Sequence, residues 1–147
     1  MSSVRAPSAG YTFHMKECIF CKIASHEIPS YTVYENKNFK AFLDTWPLNK
    51  GHILVIPKKH YRWVWDVPNI GKYYEVVGTV ANALRKALNT EWITSVVIGE
   101  EVPHAHVSLV PRMKGDGHGA SLNFGKRKKM TSVKMEEIQK QIISALK

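Results

Sequence analysis

The sequence predicts an α+β protein built on an antiparallel sheet of about five strands with two helices. Short β-branched runs, bounded by glycine, proline or polar residues, follow one another with short connections, which favours antiparallel pairing of neighbours. Longer segments with apolar residues three and four apart occur twice, once after the third run and once at the end of the chain. The predicted order is therefore three strands, a helix, two strands and a final helix.

The first three strands follow from two segments of the chain. The segment "TVYENKNFKAFLD" has two apolar runs around the polar turn Glu-Asn-Lys-Asn, which predicts a hairpin. The segment "GHILVIP", from Gly51 to Pro57, is a β-branched run between two residues that interrupt strands. It predicts the third strand.

The remaining chain predicts the helices and the last two strands. One long helix, ending at Asn89, is predicted by apolar residues at helical spacing: Ile70, Tyr73, Tyr74, Val77, Ala81, Leu84 and Leu88. The runs "WITSVVIG" and "HAHVSLVP" predict two strands joined by the polar "GEEVP". Ser132 is the predicted N-cap of the last helix. The buried side of that helix is predicted to hold Met135, Ile138, Ile142 and Leu146.

Length and composition predict a single domain over residues 16–147, preceded by a disordered tail over residues 1–15. The chain has 147 residues, of which 44% are hydrophobic, enough for a core without disulfides. Positions 1–14 are small, polar and aperiodic, and His14–Met15 resembles a cloning remnant before a natural start. With no signal peptide and no run of about 20 apolar residues, we expect a cytoplasmic protein without membrane contact. The net charge of +9 favours anionic partners.

The segment "HAHVSLV" places two histidines in a predicted strand. Because side chains of a strand alternate between its faces, His104, His106 and Ser108 are predicted to share one face. The three apolar residues between and after them would face the core. A solvent-exposed face usually carries Lys, Glu or Thr, so two histidines beside a serine favour a functional site over an incidental surface.

The sequence "CIFC" holds the two cysteines of the chain. A Cys-x-x-Cys pair is typical of zinc sites, because both sulfurs can reach one tetrahedral centre. Histidines must complete such a site, and the candidates are His52, His60, His104 and His106. The spacing leaves two alternatives open: a redox pair, which usually needs a βαβ context, and two inert core thiols.

Three segments resemble, in order and spacing, the histidine triad (HIT) family of nucleotide hydrolases and transferases. They are "ECIFCKIASHEIPSYTVYENKNFKAFLD", "GHILVIPKKH" and "EVPHAHVSLVPR". The resemblance extends from Glu17 to Lys147 and is similar above all to bacterial members with an N-terminal cysteine pair. It implies a HIT-like fold, a homodimer paired through the long helix and neighbouring strands, and a purine nucleotide or related small molecule as substrate.

The resemblance also implies a role for each candidate residue. His106 would be the nucleophile that attacks the α-phosphorus and forms a covalent nucleotidyl-histidine, and His52 would lie near the phosphates. Asp44 would bind the ribose. An apolar clamp would hold the base, formed by Ile19, Phe20, Ile23 and Phe42, for which ordinary core packing is the alternative. A zinc ion would be structural, because four protein ligands leave no open position; these would be Cys18, Cys21, His60 and His104.

The family's third motif histidine, which bonds the phosphate and helps the leaving group depart, is replaced by Ser108. A serine hydroxyl is not an acid at neutral pH, so a general acid worth a factor of about 10²–10⁴ in rate is absent. We therefore expect an enzyme that is weak or restricted to substrates with good leaving groups. The sequence leaves open whether the serine is natural or introduced, and whether the chain is instead an inactive nucleotide- or zinc-binding module.

Two charged segments bear on the substrate. Glu100 and Glu101 precede the histidines, near the expected phosphate position, and we expect both to turn towards solvent. The basic run "KRKK" at positions 126–129 is typical of a solvated loop. Because aromatic residues are not interleaved in it, an enzyme that processes the ends of DNA or RNA ranks third, after a nucleotide hydrolase and an inactive binding module.

Overall fold

The computed structural model describes residues 17–147 and confirms the predicted α+β fold. The five strands are β1 Thr32–Glu35, β2 Phe39–Leu43, β3 Ile53–Pro57, β4 Ile93–Val96 and β5 Val107–Pro111. The three α-helices are α1 Ile19–Ala24, α2 Ile70–Leu88 and α3 Ser132–Ala145. The tail predicted over residues 1–15 lies outside the described residues.

The strands form one antiparallel sheet in the order β1-β2-β3-β5-β4. Because β5 enters between β3 and β4, Ser108 lies opposite Leu54 on one side and Val96 on the other. The short β4 becomes an edge strand. The histidine segment therefore leads into the interior of the sheet, where neighbouring strands on both sides hold it.

Helices α2 and α3 cover one face of the sheet and form the larger core. Helix α2 has the predicted bounds and buries Tyr73, Val77 and Leu84 of the predicted stripe, whereas Ile70 is 38% exposed. The Tyr73 hydroxyl donates to the carbonyl of Val55 at 2.6 Å, which ties the helix to β3. Among the helices of residues 17–147, none combines the length and apolar character that a membrane span requires.

The start of α3 differs by one residue from the prediction. Thr131, not Ser132, is the N-cap, and its hydroxyl accepts the backbone N–H of Lys134 at 3.3 Å. The buried side agrees with the predicted pattern: Met135, Ile138 and Ile142 are buried, and Leu146 is partly buried.

The short helix α1, which the sequence analysis did not predict, covers the opposite face of the sheet. Its Phe20 and Ile23 pack with Phe42, Leu54 and Ile56, which are the β2 and β3 side chains that point away from the larger core. The helix begins at Cys18, whose Sγ accepts the backbone N–H of Cys21 at 3.4 Å. Six residues are too few to show a helical period, so the sequence pattern did not reveal it.

A buried ion pair fixes the loop that follows β5. The Arg112 guanidinium is 1% exposed, and its Nε bonds Asp116 Oδ2 at 2.7 Å. Its Nη2 donates to the carbonyl of Gly119 at 2.7 Å, and the group lies over the ring of Trp92. Asp116 also accepts from Asn49 Nδ2 at 2.9 Å, and Arg112 holds the pKa of the Asp116 carboxyl well below its usual range. The loop is thereby anchored to the turn before β3.

Candidate functional site

The two histidines lie just before β5, on the face that α1 covers. The strand begins at Val107, so both precede it in irregular backbone, yet the alternation of side chains continues through them. Ala105 and Val107 join the larger core. His104 and His106 point the other way, and the edge of Phe20 contacts both rings, at centroid distances of 5.8 and 5.2 Å.

Two cysteines and two histidines, here called the Cys–His quartet, meet between α1, the end of β3 and the start of β5; they are Cys18, Cys21, His60 and His104. The Nδ1 of His104 lies 3.3 Å from Cys18 Sγ and 3.5 Å from Cys21 Sγ. The Nδ1 of His60 lies 3.2 Å from Cys21 Sγ. The Nε2 of His104 donates to the carbonyl of Pro57 at 2.8 Å, which leaves Nδ1 with a lone pair facing the sulfurs.

The quartet has the dimensions of a tetrahedral metal site. All four ligand atoms lie within 4.8 Å of one another. A zinc ion with bonds of about 2.3 Å to sulfur and 2.0 Å to nitrogen needs ligand atoms about 3.3–3.8 Å apart. Burial lowers the pKa of His104 to about 4, so this imidazole is neutral and able to ligate. The quartet can hold a metal ion, and its two imidazoles favour metal binding over a redox pair or inert thiols.

The same burial raises the pKa of the Cys21 thiol to about 12, and the neighbouring Cys18 adds to the rise. Thiolates are therefore costly here unless a cation compensates their charge. A divalent ion does this, because it stabilises the deprotonated form of a coordinating thiol.

His106 is bonded through the other ring nitrogen than His104 is. Its Nδ1 donates to the carbonyl of His104 at 2.7 Å, so Nε2 carries the lone pair. The ring borders two cavities. Burial lowers the pKa of His106, outweighing the effect of the His104 carbonyl, so the imidazole is neutral at neutral pH. The side chain is therefore a neutral imidazole with an available nitrogen at a cavity wall.

The larger cavity has a volume of about 530 Å³ and lies between α1 and the loop after β2. One end is apolar and includes the four residues predicted to hold a base: Ile19, Phe20, Ile23 and Phe42. The other end is polar, with Asp44, His106, Ser108 and Arg127. The cavity thus brings together the predicted base-binding, ribose-binding and nucleophilic residues.

Asp44 is held by two neighbours at the polar end. Its Oδ1 accepts the backbone N–H of Trp46 at 2.8 Å. Its Oδ2 accepts from Arg127 Nη1 at 2.9 Å, and the same nitrogen donates to the Trp46 carbonyl at 2.8 Å. The carboxylate is fixed in orientation and partly neutralised.

A smaller cavity of about 230 Å³ adjoins the same polar end. Ser108, His106, Glu101 and Arg127 border both cavities. The side chains of Glu100 and Glu101 are exposed, as expected, but both also border the smaller cavity. The serine that replaces the third motif histidine therefore lies where the two cavities meet.

His52 lies behind Asp44 and does not border either cavity. Its Nδ1 accepts the backbone N–H of Leu48 at 3.1 Å, so the proton is on Nε2, 3.9 Å from Asp44 Oδ2. Among the described residues, no acceptor is within hydrogen-bond distance of this buried Nε2. Burial lowers the pKa of His52 to about 4, against the attraction of Asp44. This position favours an influence through Asp44 over direct contact with a phosphate.

Comparison with known proteins settles the family. The model of the HIT domain matches residues 25–115, more than half of the chain. The chain belongs to the HIT family. An uncharacterised HIT-like protein of Methanocaldococcus jannaschii is 39% identical over 131 residues, which cover 85% of this chain and 98% of that protein. An adenylylsulfatase of Arabidopsis thaliana is 30% identical over 138 residues, covering 89% of this chain and 68% of that protein.

A solved HIT structure supports the architecture. A zinc-bound histidine triad family protein of Mycobacterium smegmatis superposes with a TM-score of 0.74 and 32% identity, covering 89% of this chain and 94% of that one. HIT family proteins include nucleotide hydrolases. This member has four residues that could hold a metal ion and a cavity of about 530 Å³ bordered by His106.

Two cavity residues of this HIT domain were missed by sequence reasoning. Arg127 lies inside the run "KRKK", which the sequence analysis assigned to a solvated loop, and its pairing with Asp44 depends on a separation of 83 residues. Trp46 borders the larger cavity although it is 52% exposed. No local pattern marks either residue, because each is brought to the site by a loop.

Proposed function

We propose that this HIT protein hydrolyses nucleotides at the α-phosphate, with His106 as a covalent nucleophile. The observation that carries the proposal is the bond from His106 Nδ1 to the His104 carbonyl, which leaves Nε2 unprotonated at the cavity wall. Membership of the HIT family supports nucleotide binding and hydrolysis. Similarity to a protein named adenylylsulfatase supports an adenylyl substrate.

The reaction has two steps. In the first, the lone pair of His106 Nε2 attacks the α-phosphorus, a P–N bond forms, and the bond from phosphorus to the leaving group breaks with its electron pair on that group. In the second, a water oxygen attacks the phosphorus and the P–N bond breaks. The electron pair returns to Nε2, the nucleoside monophosphate departs, and the proton lost by water passes to solvent.

The nucleoside would occupy the larger cavity. Its apolar end suits a base, held among Ile19, Phe20, Ile23 and Phe42, and its volume of about 530 Å³ suits a purine nucleoside. Asp44 would accept hydrogen bonds from the ribose hydroxyls, since Trp46 and Arg127 already fix its orientation. His52 would act as a positioning residue, with its Nε2–H drawn to the Asp44 carboxylate.

We propose that zinc is the ion of the Cys–His quartet. Two sulfurs and two imidazoles are a typical structural zinc set, and the zinc-bound neighbour from Mycobacterium smegmatis supports the assignment. The bound ion would stabilise the thiolates and hold α1 against the start of β5. Its role is structural, since four protein ligands leave no position for a substrate.

Trapping the covalent intermediate tests the proposal. Wild-type protein incubated with an adenosine 5′-phosphoramidate or phosphosulfate labelled in the nucleoside should, after acid quench, carry one adenylyl group on His106, located by peptide mass spectrometry. His106→Asn keeps a donor for the His104 carbonyl but lacks Nε2. It should form no adduct and lose at least about 10⁴-fold in turnover.

His26→Asn is the matched control for this experiment. His26 is an exposed histidine paired with Glu35, outside both cavities. It has a positive φ of 64°, which asparagine tolerates. This variant should form the adduct normally. An adduct that persists in His106→Asn would refute the assigned nucleophile.

A second candidate function is a nucleotide-binding HIT module without catalysis. Ser108 favours it, since no side chain at that position can act as a general acid at neutral pH. Saturable nucleotide binding with neither adduct nor turnover would select this candidate. A nucleic-acid end processor is less favoured, because Arg127 of the basic run is engaged by Asp44.

We also propose that the protein forms a homodimer paired through α2, that it is cytoplasmic, and that its partner is a small molecule rather than a nucleic acid. Light scattering of the purified protein tests the first. Oligonucleotide binding that depends weakly on salt, or is unchanged when residues 126, 128 and 129 are made neutral, would support the third.

A further inference from the structure

We infer that Arg127 selects the leaving group: its guanidinium binds an anionic leaving group beside His106, so the enzyme prefers nucleotide anhydrides with phosphate or sulfate over phosphoramidates. This inference rests on the proposed function. It concerns a residue outside the histidine motif and assigns the smaller cavity to the departing group.

The position of Arg127 is the first support. Four residues border both cavities, and they include His106 and Arg127; of the four, Arg127 is the one permanent cation. With the base at the apolar end and the α-phosphorus at His106, the leaving group would occupy the region where the two cavities share their lining residues. Arg127 is one of these residues.

The unused donors of Arg127 are the second support. Its bonds to Asp44 and to the Trp46 carbonyl both use Nη1. Within residues 17–147, no acceptor bonds its Nη2 or Nε. A planar guanidinium presents five N–H donors, so it can keep the Asp44 bond and still bind a phosphate or sulfate oxygen.

Backbone bonds hold the segment that carries Arg127. The N–H of Lys128 donates to the Pro47 carbonyl at 3.4 Å, and the N–H of Met130 donates to the Thr45 carbonyl at 3.3 Å. The segment from 127 to 130 therefore runs along the loop after β2. The bonds of Nη1 to Asp44 and to the Trp46 carbonyl order the guanidinium itself, so it can neutralise charge without first being ordered.

The acidic neighbours of the smaller cavity make such a cation necessary. Glu101 borders both cavities and Glu100 borders the smaller one. An anionic leaving group beside these carboxylates would be repelled. Arg127 opposes this repulsion, and it supplies the positive charge that a protonated third histidine would otherwise contribute.

The chemistry of departure then separates two substrate classes. A sulfate or phosphate group leaves as a stable anion when the P–O bond breaks, so it needs charge neutralisation and no proton. An amine needs a proton on nitrogen as the P–N bond breaks, and Ser108 supplies no acid for it. Arg127 can assist the first departure but not the second, because an arginine side chain keeps its proton.

Two substrates that differ in leaving group test this inference: adenosine 5′-phosphosulfate and adenosine 5′-phosphoramidate. In wild type, kcat/KM should be higher for the phosphosulfate. In Arg127→Gln, the ratio of the two kcat/KM values should fall at least about 10-fold, as expected for the loss of a charge-assisted bond to the departing anion. Any weakening of ribose binding through Asp44 affects both substrates equally and cancels in the ratio.

Two further variants complete the test. Arg127→Lys keeps the charge but lacks the fork of donors that lets the guanidinium bond Asp44 and the anion together, so it should retain only part of the ratio. Lys129→Gln removes the same charge from an exposed position of the same run and should change neither rate. Thermal unfolding of each variant, measured in parallel, checks that the fold persists.

The outcomes are distinct. If wild type cleaves both substrates but Arg127→Gln leaves their ratio unchanged, or if wild type prefers the phosphoramidate, the inference about Arg127 is wrong and the proposed function stands. If wild type cleaves neither and forms no adduct on His106, the proposed function itself fails, and this inference fails with it.

Discussion

The Cys–His quartet and the larger cavity each include one of two histidines that are two residues apart, His104 and His106. The first is a closed candidate metal site, and the second is an open candidate substrate site. His104 is fully buried and directs Nδ1 to two sulfurs, whereas His106 directs Nε2 to a cavity that opens beside it. The two side chains lie on the same face at the start of β5, and Phe20 contacts both. Residue type and local position therefore do not account for the difference.

Backbone carbonyls account for it. The Pro57 carbonyl accepts the Nε2 proton of His104, and the His104 carbonyl accepts the Nδ1 proton of His106. Each acceptor sets the tautomer and thereby the nitrogen that stays available. The same amino acid becomes a metal ligand in one place and a candidate nucleophile two residues later.

Substituting each histidine separately is expected to give the largest effects, and it tests whether the two have different roles. His104→Asn should lose the bound metal and lower the free energy of unfolding by at least about 3 kcal/mol, because a structural ion contributes its binding energy to the fold. His106→Asn should keep one metal ion per chain and near-wild-type stability while losing turnover. Metal analysis by mass spectrometry and urea unfolding measure the two effects.

Chelation of wild-type protein provides the control for that pair. It should reduce stability to the level of His104→Asn and have little further effect on that variant. If His106→Asn loses the metal as well, the two histidines do not have separate roles and the comparison is wrong.

A third histidine, His52, belongs neither to the Cys–His quartet nor to a cavity wall. The pH dependence of stability tests its different environment. Its pKa is about 4 in the fold, below an ordinary value of 6.5, so the unfolded chain binds a proton that the folded chain excludes between these values. Stability from His52 is therefore complete above pH 6.5 and is lost as the pH falls towards 4. The loss should be about 3 kcal/mol, from a shift of roughly two and a half pKa units.

His52→Asn retains an acceptor for the Leu48 N–H but does not titrate. Between pH 7 and pH 4, its free energy of urea unfolding should therefore fall by about 3 kcal/mol less than that of wild type. Release of metal at low pH affects both proteins and cancels in the difference. Equal slopes for wild type and His52→Asn would contradict the burial argument.

Ser108→His is expected to give the smallest effect of these substitutions. It should change the reaction in the cavity and leave the Cys–His quartet unaffected. Restoring a group that can donate a proton beside His106 should raise kcat/KM for the phosphoramidate about 10–100-fold, at the low end of general acid catalysis. Metal content and stability should stay the same. Steady-state kinetics with both adenosine substrates measure the effect, and the phosphosulfate should gain much less.

Ser95→His serves as the matched substitution, since Ser95 is exposed on the neighbouring edge strand β4. It should leave both rates unchanged. A Ser108→His protein that gains equally on both substrates would show that the new imidazole acts by binding rather than as an acid.

Sequence reasoning predicted the fold and most of the site because their signals are local or periodic. The bounds of α2, Ile70–Leu88, follow from its apolar spacing, and the shared face of His104 and His106 follows from alternation. The cavity residues Asp44 and Phe42 were identified through resemblance to the HIT family. Helix α1 was missed because a six-residue helix carries too few residues for a period.

Arg127 was missed for a different reason. Within "KRKK" its side chain is chemically like those of its neighbours, and nothing in the run distinguishes it. Its position comes from the Arg112–Asp116 ion pair, which anchors the preceding loop, and from the backbone bonds that hold residues 127–130 beside β2.

The sequence by itself determined the order of the five strands and the two longer helices, the family, and the candidate side chains for binding metal or attacking phosphorus. The strands and helices follow from periods of two and 3.6 residues, and the family and its candidate residues follow from the resemblance of three ordered motifs; both are readable along one chain. Tertiary structure alone decided which nitrogen of each histidine is available and which cation of the basic run meets the cavity. Both depend on carbonyls and carboxylates that are distant in sequence, and only folding brings these groups within hydrogen-bond distance.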